Sequence, residues 1–171
     1  MTFVFVHNPH SRSLNADGRW VMSASANDIN FLNINQTVNT LTTGKLKPLN
    51  QISNNNANNK PTGANNDVLV IGTPTSIMVY DVLNNTDLFY KEVPDGVNAV
   101  VIGEIGAINK PLAIVGGNCA LQGFDYEGND SYWTVTGDNI TCIALADIDE
   151  DGQNEAMAIP YPYEWPQQYM D

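Results

Sequence analysis

Short apolar runs separated by polar turns recur along most of this chain. The clearest group contains VNAVVIG (97–103), LAIVG (112–116), ALQGF (120–124) and YWTVT (132–136), with GAINKP, GGN and DYEGND between them. Apolar runs of this length, bounded by glycine, proline, asparagine and aspartate, indicate β-strands joined by tight turns. No segment has a sustained helical period. The pattern therefore predicts an all-β fold.

The strand pattern also repeats. LVIGTPTSIMVYD (69–81) aligns with AIVGGNCALQGFD (113–125) at an offset of 44 residues, so that glycine, aromatic and aspartate positions coincide. VNAVVIGEIG (97–106) aligns with ITCIALADID (140–149) at an offset of 43. Four short strands in roughly 40 to 45 residues are typical of one blade of a β-propeller.

Aromatic residues near the ends of these units repeat as well. Leu88 and Phe89 align with Tyr132 and Trp133 at the offset of 44. Large aromatic side chains at matching positions of a repeat are expected to bury their rings between neighbouring blades. We therefore predict that Phe89, Tyr90, Tyr132 and Trp133 pack between blades.

An earlier copy of the repeat contains an insertion. VNTLTTGKL (38–46) matches the segment 97–105 at an offset of 59, and the excess of about 15 residues lies in the asparagine-rich tract 50–66. Such a polar, low-complexity tract cannot bury a core. It is predicted to be a disordered surface loop.

The repeats together predict a partial β-propeller, built of four-stranded antiparallel blades, over residues 1–160. A divergent tail rich in proline and aromatic residues follows at 161–171. Blades are expected at about 38–96 and 97–138, with a third beginning at 139. Since propellers close with roughly 4 to 8 blades, the terminal blades should expose strand edges. The isolated chain is therefore expected to oligomerise or aggregate.

The net charge of −12 is concentrated in the second half of the chain, because residues 1–80 have a balance of +2 and residues 81–171 a balance of −14. This distribution argues against nucleic-acid binding, which needs a basic face. No apolar run approaches the roughly 20 residues of a transmembrane helix, and no secretory signal is visible. Cys119 and Cys142 are accordingly predicted to be reduced thiols in buried strands of a cytoplasmic protein.

The strongest candidate site is the acidic segment DIDEDGQNE, which follows the apolar run ITCIALA. It is not an EF-hand, because Ala158 occupies the position of the final glutamate and both flanks indicate strands instead of helices. The predicted calcium ligands are the side chains of Asp147, Asp149, Asp151 and Glu155 and the carbonyl of Gln153, with Gly152 allowing the tight turn.

Two interpretations of this segment stay open. In the first, calcium braces the turn between two strands; in the second, aspartate and glycine satisfy the backbone of an Asx-rich hairpin without metal. Magnesium fits less well because it demands a tighter octahedron. The corresponding turn one repeat earlier, EIGAINKP, has no aspartate. We therefore expect no required cofactor, with calcium as an optional ligand.

Other catalytic or metal chemistry finds little support. His7 and His10 are too few for zinc, which takes three or four ligands at characteristic spacings. The expected burial of both cysteines disfavours a Cys–His nucleophile, and the sequence contains no G-x-S-x-G or phosphate-binding loop. The chain is predicted not to be an enzyme.

The segment from YDVLNNTDLFYKEV to QNEAMA (80–158) resembles the N-terminal β-propeller of the Bardet-Biedl syndrome protein 2 family, whose members are subunits of the BBSome. GGNCALQGFDYEG and YWTVTGDN are the most specific pieces. FVFVHNPHSRS (3–13) and FLNINQTVNTLTTGKL (31–46) are similar to earlier pieces of the same region, so the resemblance covers about residues 3–158.

The resemblance implies a non-enzymatic interaction scaffold in ciliary membrane-protein trafficking, intraflagellar transport and cilium assembly. It also implies other BBSome subunits as partners, ciliary membrane-protein cargo indirectly, and locations in the cytoplasm, cilium, ciliary membrane and basal body. An alternative from another class is a calcium-dependent, integrin-like adhesion or ligand-binding propeller. The acidic segment is similar to the calcium-binding turns of such proteins. A protein of that class would be exported from the cell.

Overall fold

The computed structural model describes the backbone of residues 2–7, 12–14, 20–22, 29–48 and 66–160, and the side chains of residues 34–48 and 66–160. The asparagine-rich tract up to residue 65, the tail 161–171, His10 and the side chain of His7 lie outside these ranges. The expectations stated for them stay predictions.

The described residues form fourteen strands and no helix. The strands are β1 (Thr2–His7), β2 (Arg12–Leu14), β3 (Trp20–Met22), β4 (Ile29–Ile34), β5 (Thr40–Gly44), β6 (Val68–Gly72), β7 (Ser76–Asp81), β8 (Thr86–Glu92), β9 (Ala99–Gly103), β10 (Leu112–Gly116), β11 (Ala120–Phe124), β12 (Asp130–Val135), β13 (Ile140–Ala146) and β14 (Glu155–Pro160). The predicted all-β fold is confirmed. Among these residues there is no helix long and apolar enough to span a membrane.

Consecutive strands pair antiparallel into separate sheets. Strands β5–β8 form sheet A, β9–β12 form sheet B, and β13 pairs with β14 in sheet C. Near the N-terminus, β1 pairs with β4 and β2 with β3. The first strand of sheet B, β9, lies beside β5 of sheet A and β13 of sheet C. Radially arranged four-stranded sheets are propeller blades, so the prediction of a partial β-propeller is confirmed.

Sheet B is apolar on both faces, because it lies between two other sheets. Along β10, Ala113 and Val115 belong to a core shared with sheet A, whereas Leu112 and Ile114 belong to a core shared with sheet C. Alternate residues of a strand point to opposite faces, and here both faces are covered. This explains why the run LAIVG is continuously apolar instead of alternating.

Glycines in one sheet make room for side chains of the next. A Cβ at Gly116 would lie only 2.5 Å from Cγ2 of Ile140, on the first strand of sheet C. Gly72 lies in the same way against Val97 at the start of sheet B. The two pairs follow the repeat, since Gly72 and Gly116 are 44 residues apart and Val97 and Ile140 are 43 apart. The repeat therefore encodes the contact between sheets.

Backbone hydrogen bonds between the sheets repeat at the same positions. The Val97 N–H donates to the Thr73 carbonyl at 3.1 Å, and the Ile140 N–H donates to the Gly117 carbonyl at 2.9 Å. Because each glycine lies immediately before the acceptor residue, close backbone approach and hydrogen bonding occur together. Each interface is thus fixed in register as well as in distance.

The two cysteines are not buried as predicted; both are exposed. Cys119 lies in the turn between β10 and β11. Cys142 lies on β13, whose Ile143 and Leu145 pack against the core shared with sheet B. No described residues cover the opposite face of sheet C. The burial argument against a cysteine nucleophile was therefore wrong.

The alignment of the aromatic residues was wrong by one position. Phe89 pairs with Val79 on β7, and Tyr132 pairs with Gly123 on β11, so these two are equivalent at an offset of 43. The cause is the hairpin of β7 and β8, in which nine residues lie between Val79 and Phe89, whereas eight lie between Gly123 and Tyr132 in the hairpin of β11 and β12. Phe89 and Tyr132 pack against the cores between sheets, as predicted. Tyr90 is 53% exposed and Trp133 is 61% exposed, contrary to the prediction.

We expect Gly116→Ala to lower the free energy of unfolding by about 1 to 3 kcal/mol, because the added methyl group overpacks the interface with Ile140. Urea denaturation measures this loss. In a double-mutant cycle, Ile140→Ala should relieve the overpacking, so the double variant should lose less stability than the sum of the single variants. Strict additivity would contradict the proposed contact.

Candidate functional site

The acidic turn occupies residues 147–154, between β13 and β14. Glu155 is the first residue of β14 instead of part of the turn. Glu150 has a φ of 61° and Gly152 a φ of 87°, so the backbone reverses through two residues in the left-handed region. Glycine adopts that region without steric cost, whereas glutamate does so rarely.

The aspartates of this turn accept hydrogen bonds from its own backbone. The Asp147 carboxylate accepts from the N–H of Asp151 at 3.0 Å and from the N–H of Gly152 at 2.9 Å. Asp151 accepts from the N–H of Gln153 at 2.8 Å. These contacts are typical of an Asx-rich hairpin, in which aspartate side chains accept the backbone N–H groups that have no partner strand within the turn.

Three carboxylates also converge. One oxygen from each of Asp147, Asp149 and Asp151 lies within 4.8 Å of the others, and all three side chains are exposed. Glu155 is not in this group; its carboxylate accepts the Ile148 N–H at 2.7 Å. The structure thus brings together three of the four predicted acidic ligands. Hard carboxylate oxygens of this kind suit calcium.

The acidic turn is tied to the preceding repeat. The Gly106 N–H donates to the Asn154 carbonyl at 2.9 Å, and the Asn154 side-chain amide donates to the Glu104 carbonyl at 3.3 Å. The turn between β9 and β10, which has no aspartate, therefore supports the acidic turn between β13 and β14. A ligand that stabilised residues 147–154 would therefore also stabilise the interface between sheets B and C.

A second acidic position, Asp125, was not singled out from the sequence. It follows β11, and its carboxylate accepts hydrogen bonds from the N–H groups of Glu127 and Asn129 at 3.1 and 2.8 Å. Asp81 has the corresponding role as the last residue of β7, where its carboxylate accepts the Asn84 N–H at 3.0 Å. Both aspartates are buried. The sequence contained a signal for this role, because Asp81 and Asp125 fall at the same position of the repeat, 44 residues apart.

Asp125 is a buried carboxylate with a cationic partner. Its carboxylate lies 2.8 Å from Nζ of Lys110, with 5% of the Asp125 side chain exposed. Burial alone would raise the pKa of Asp125, but the hydrogen bonds from Lys110 and Asn129 outweigh burial and hold that pKa below its usual value. The ionised carboxylate is therefore part of the folded state, where it closes the turn between β11 and β12.

Asp95 joins two sheets. It lies in the segment between β8 and β9, and its carboxylate accepts the N–H groups of Cys119 and Ala120 at 2.9 and 2.8 Å. Its carbonyl accepts the Asn118 N–H at 2.9 Å. One residue thus satisfies three donors of the turn between β10 and β11, which makes it a structural anchor instead of a free acid.

Comparison with known proteins gives a consistent result. Residues 2–103 match the family model described as "Ciliary BBSome complex subunit 2, N-terminal". Over 155 residues, the chain is 52% identical to the "BBSome complex member BBS2" of Danio rerio and 48% identical to that of Homo sapiens. Both matches cover 90% of this chain and 20% of the relative. The Caenorhabditis elegans "BBSome complex member bbs-2" is 45% identical over 95 residues, covering 56% of this chain and 13% of that protein. The chain thus spans about a fifth of the length of the first two relatives.

We expect Asp125→Asn to lower the free energy of unfolding by about 2 kcal/mol at neutral pH, because a buried, hydrogen-bonded charge is lost. The pKa of Asp125 is lower in the folded state than in the unfolded state. Its stabilisation is therefore complete above about pH 4 and is lost as the pH falls through the folded-state pKa.

Urea denaturation of both proteins between about pH 3 and pH 7 tests this prediction. The control is Asp130→Asn, since Asp130 forms an exposed ion pair with Lys91 at 2.7 Å; it should cost less than about 0.5 kcal/mol. A loss in Asp125→Asn that stays constant down to the acid limit would contradict the assignment.

Proposed function

Because this chain belongs to the family of ciliary BBSome complex subunit 2 N-terminal regions, we propose that it acts as a protein-interaction scaffold in a BBSome-type complex. The match of residues 2–103 to the family carries this proposal. The relatives are named as members of the BBSome, which supports other BBSome subunits as partners of this chain. Its place of action would be the cytoplasm and the cilium, including the ciliary membrane and basal body, with cargo membrane proteins engaged indirectly.

The proposed mechanism is structural. Sheets A and B are held by apolar cores, glycine contacts and interface hydrogen bonds, so they would present their outer edges and loops to neighbours as rigid surfaces. Rigid surfaces bind with less loss of conformational entropy than flexible ones. The acidic groups described above are bound to backbone N–H groups or to Lys110, which supports a non-enzymatic role. The adhesion alternative shares only the propeller architecture and the acidic turn with this chain.

Co-precipitation from ciliated cells tests the proposal. A tagged form of the chain is expected to bring down other BBSome subunits, detected by immunoblotting. Gly116→Val should abolish this, since a branched side chain would collide with Ile140. Ala144→Val is the matched control, because residue 144 is exposed on a strand, and it should bind as the parent chain does. A folded, soluble chain that brings down no BBSome subunit would refute the proposal.

We also propose calcium as an optional, structural ligand of the acidic turn. The convergence of Asp147, Asp149 and Asp151 favours this proposal. Because these aspartates also accept backbone N–H groups, the turn would form without the ion, and calcium would add stability instead of creating the fold. An exposed site of this kind is expected to bind at roughly millimolar concentrations.

Raising free calcium to about 5 mM should increase the Tm of the chain by roughly 2 to 5 °C relative to a chelator. Differential scanning fluorimetry measures the shift. Asp149→Asn should lose it, whereas Asp138→Asn, an exposed aspartate outside the turn, should keep it. Absence of a shift in the parent chain would favour the metal-free hairpin.

A further inference from the structure

Two large apolar side chains are exposed on β12, the outermost strand of sheet B: Trp133 at 61% and Val135 at 62%. Trp133 pairs with Gln122, and Gln122 pairs with Val115, which belongs to the core shared with sheet A. Paired residues share a face of a sheet, as do residues two apart on one strand, so Trp133 and Val135 both face sheet A. Because the strands of sheet A are present on that side, this exposure does not result from an absent neighbouring sheet.

The free edge of β12 is the outer edge of a complete four-stranded sheet. Among the described strands, β12 pairs with β11 alone. The structure describes the chain without a break from β12 through residues 136–139 to β13, which lies beside β9 at the opposite edge of sheet B. The next strand of the sequence therefore does not pair with β12, and the outer edge stays open after the following sheet has begun.

The equivalent edge of sheet A is protected by charge, whereas the edge of β12 is not. Strand β8 contains Asp87, Lys91 and Glu92. Strand β12 has one charged residue, Asp130, at its first position, and SYWTV follows without another. Natural sheets place charged side chains on exposed edges because an uncharged edge pairs readily with another chain. The composition of β12 thus favours the addition of a strand.

Charge specifies the kind of strand that fits. Lys91 is already engaged, since its Nζ lies 2.7 Å from the Asp130 carboxylate and 4.9 Å from the centre of the Phe124 ring. No cation of the described residues lies over the Trp133 ring. On β8, β12 and the segments after β11 and β12, the charged residues without an ion-pair partner in the described part of the chain are all acidic: Asp87, Glu92, Glu127 and Asp138. A basic strand is therefore attracted, whereas a second copy, with its net charge of −12, is repelled.

We propose that the outer edge of β12 is a docking site for an extended, basic segment of a partner protein. The segment pairs antiparallel with β12 as a fifth strand, places an arginine over the Trp133 ring and places an aliphatic side chain against Val135. Main-chain hydrogen bonds to the strand edge supply affinity, and the two side-chain contacts fix the register. Since Trp133 and Val135 are two residues apart on one face, their partners are also two residues apart.

A designed peptide serves as the probe. It has about eight residues, mostly threonine because threonine favours extended structure, with isoleucine two positions before a single arginine and a fluorescent label at one end. Fluorescence anisotropy with the full chain should show saturable binding. A peptide of the same composition in which isoleucine and arginine are adjacent presents them on opposite faces. That peptide, and one with glutamate in place of arginine, should each bind roughly tenfold more weakly or worse.

Variants of the full chain locate the binding site. Trp133→Ala should weaken binding roughly tenfold or more, and Trp133→Phe should restore part of the loss, because a phenylalanine ring also attracts a cation. Tyr90→Ala is the matched control: Tyr90 is the equivalent residue of β8 at an offset of 43, and its loss should leave binding unchanged. Val135→Lys adds a charge to the edge at an exposed position and should weaken binding by a factor similar to that of Trp133→Ala.

Three results would overturn the proposal. The first is an affinity that is undetectable, or equal in the parent chain, Trp133→Ala and Val135→Lys. The second is equal binding of the peptide with adjacent isoleucine and arginine, which would show attraction by net charge alone. The third is a dimer in sedimentation velocity that Val135→Lys abolishes, which would make a second copy the occupant. These measurements involve no other BBSome subunit, so their failure would leave the co-precipitation result unaffected.

Discussion

Close approach between neighbouring sheets, made possible by glycine, is the constraint on which the rest of the described structure depends. Val97 lies just before β9 of sheet B and Ile140 begins β13 of sheet C, and each packs over a glycine of the sheet before. A side chain at either glycine would hold the backbones apart and so lengthen the hydrogen bonds to Thr73 and Gly117. Packing and hydrogen bonding at each interface are therefore coupled.

The same constraint explains where the charges lie. Strands β9, β10 and β11 of sheet B contain no acidic residue. Asp95 and Asp125 lie in the segments that connect strands, where they accept backbone N–H groups. Asp95 and Asp125 show two forms of this: one connects successive sheets, and the other closes a turn within a sheet. Much of the negative charge near these interfaces therefore stabilises turns.

The strands and their repeat could be predicted because apolar runs and turn residues are local signals. Burial could not, because it depends on a neighbouring sheet that the local pattern does not specify: Ala99 is buried, while Cys142, its equivalent one repeat later, is exposed. The aromatic alignment failed for a different reason, since one extra residue in the β7–β8 hairpin of sheet A shifts the pairing without leaving a gap in the apolar pattern. At the acidic turn, composition indicated which aspartates converge but not that Glu155 would bind Ile148 instead.

Sheet C departs from the glycine pattern. The positions equivalent to Gly103 and Gly116 are Ala146 and Ile159, and Ile159 is 59% exposed. Any sheet stacked on that face would have to stand farther away than sheets A and B stand from one another. The angular spacing of blades around the axis would therefore be uneven.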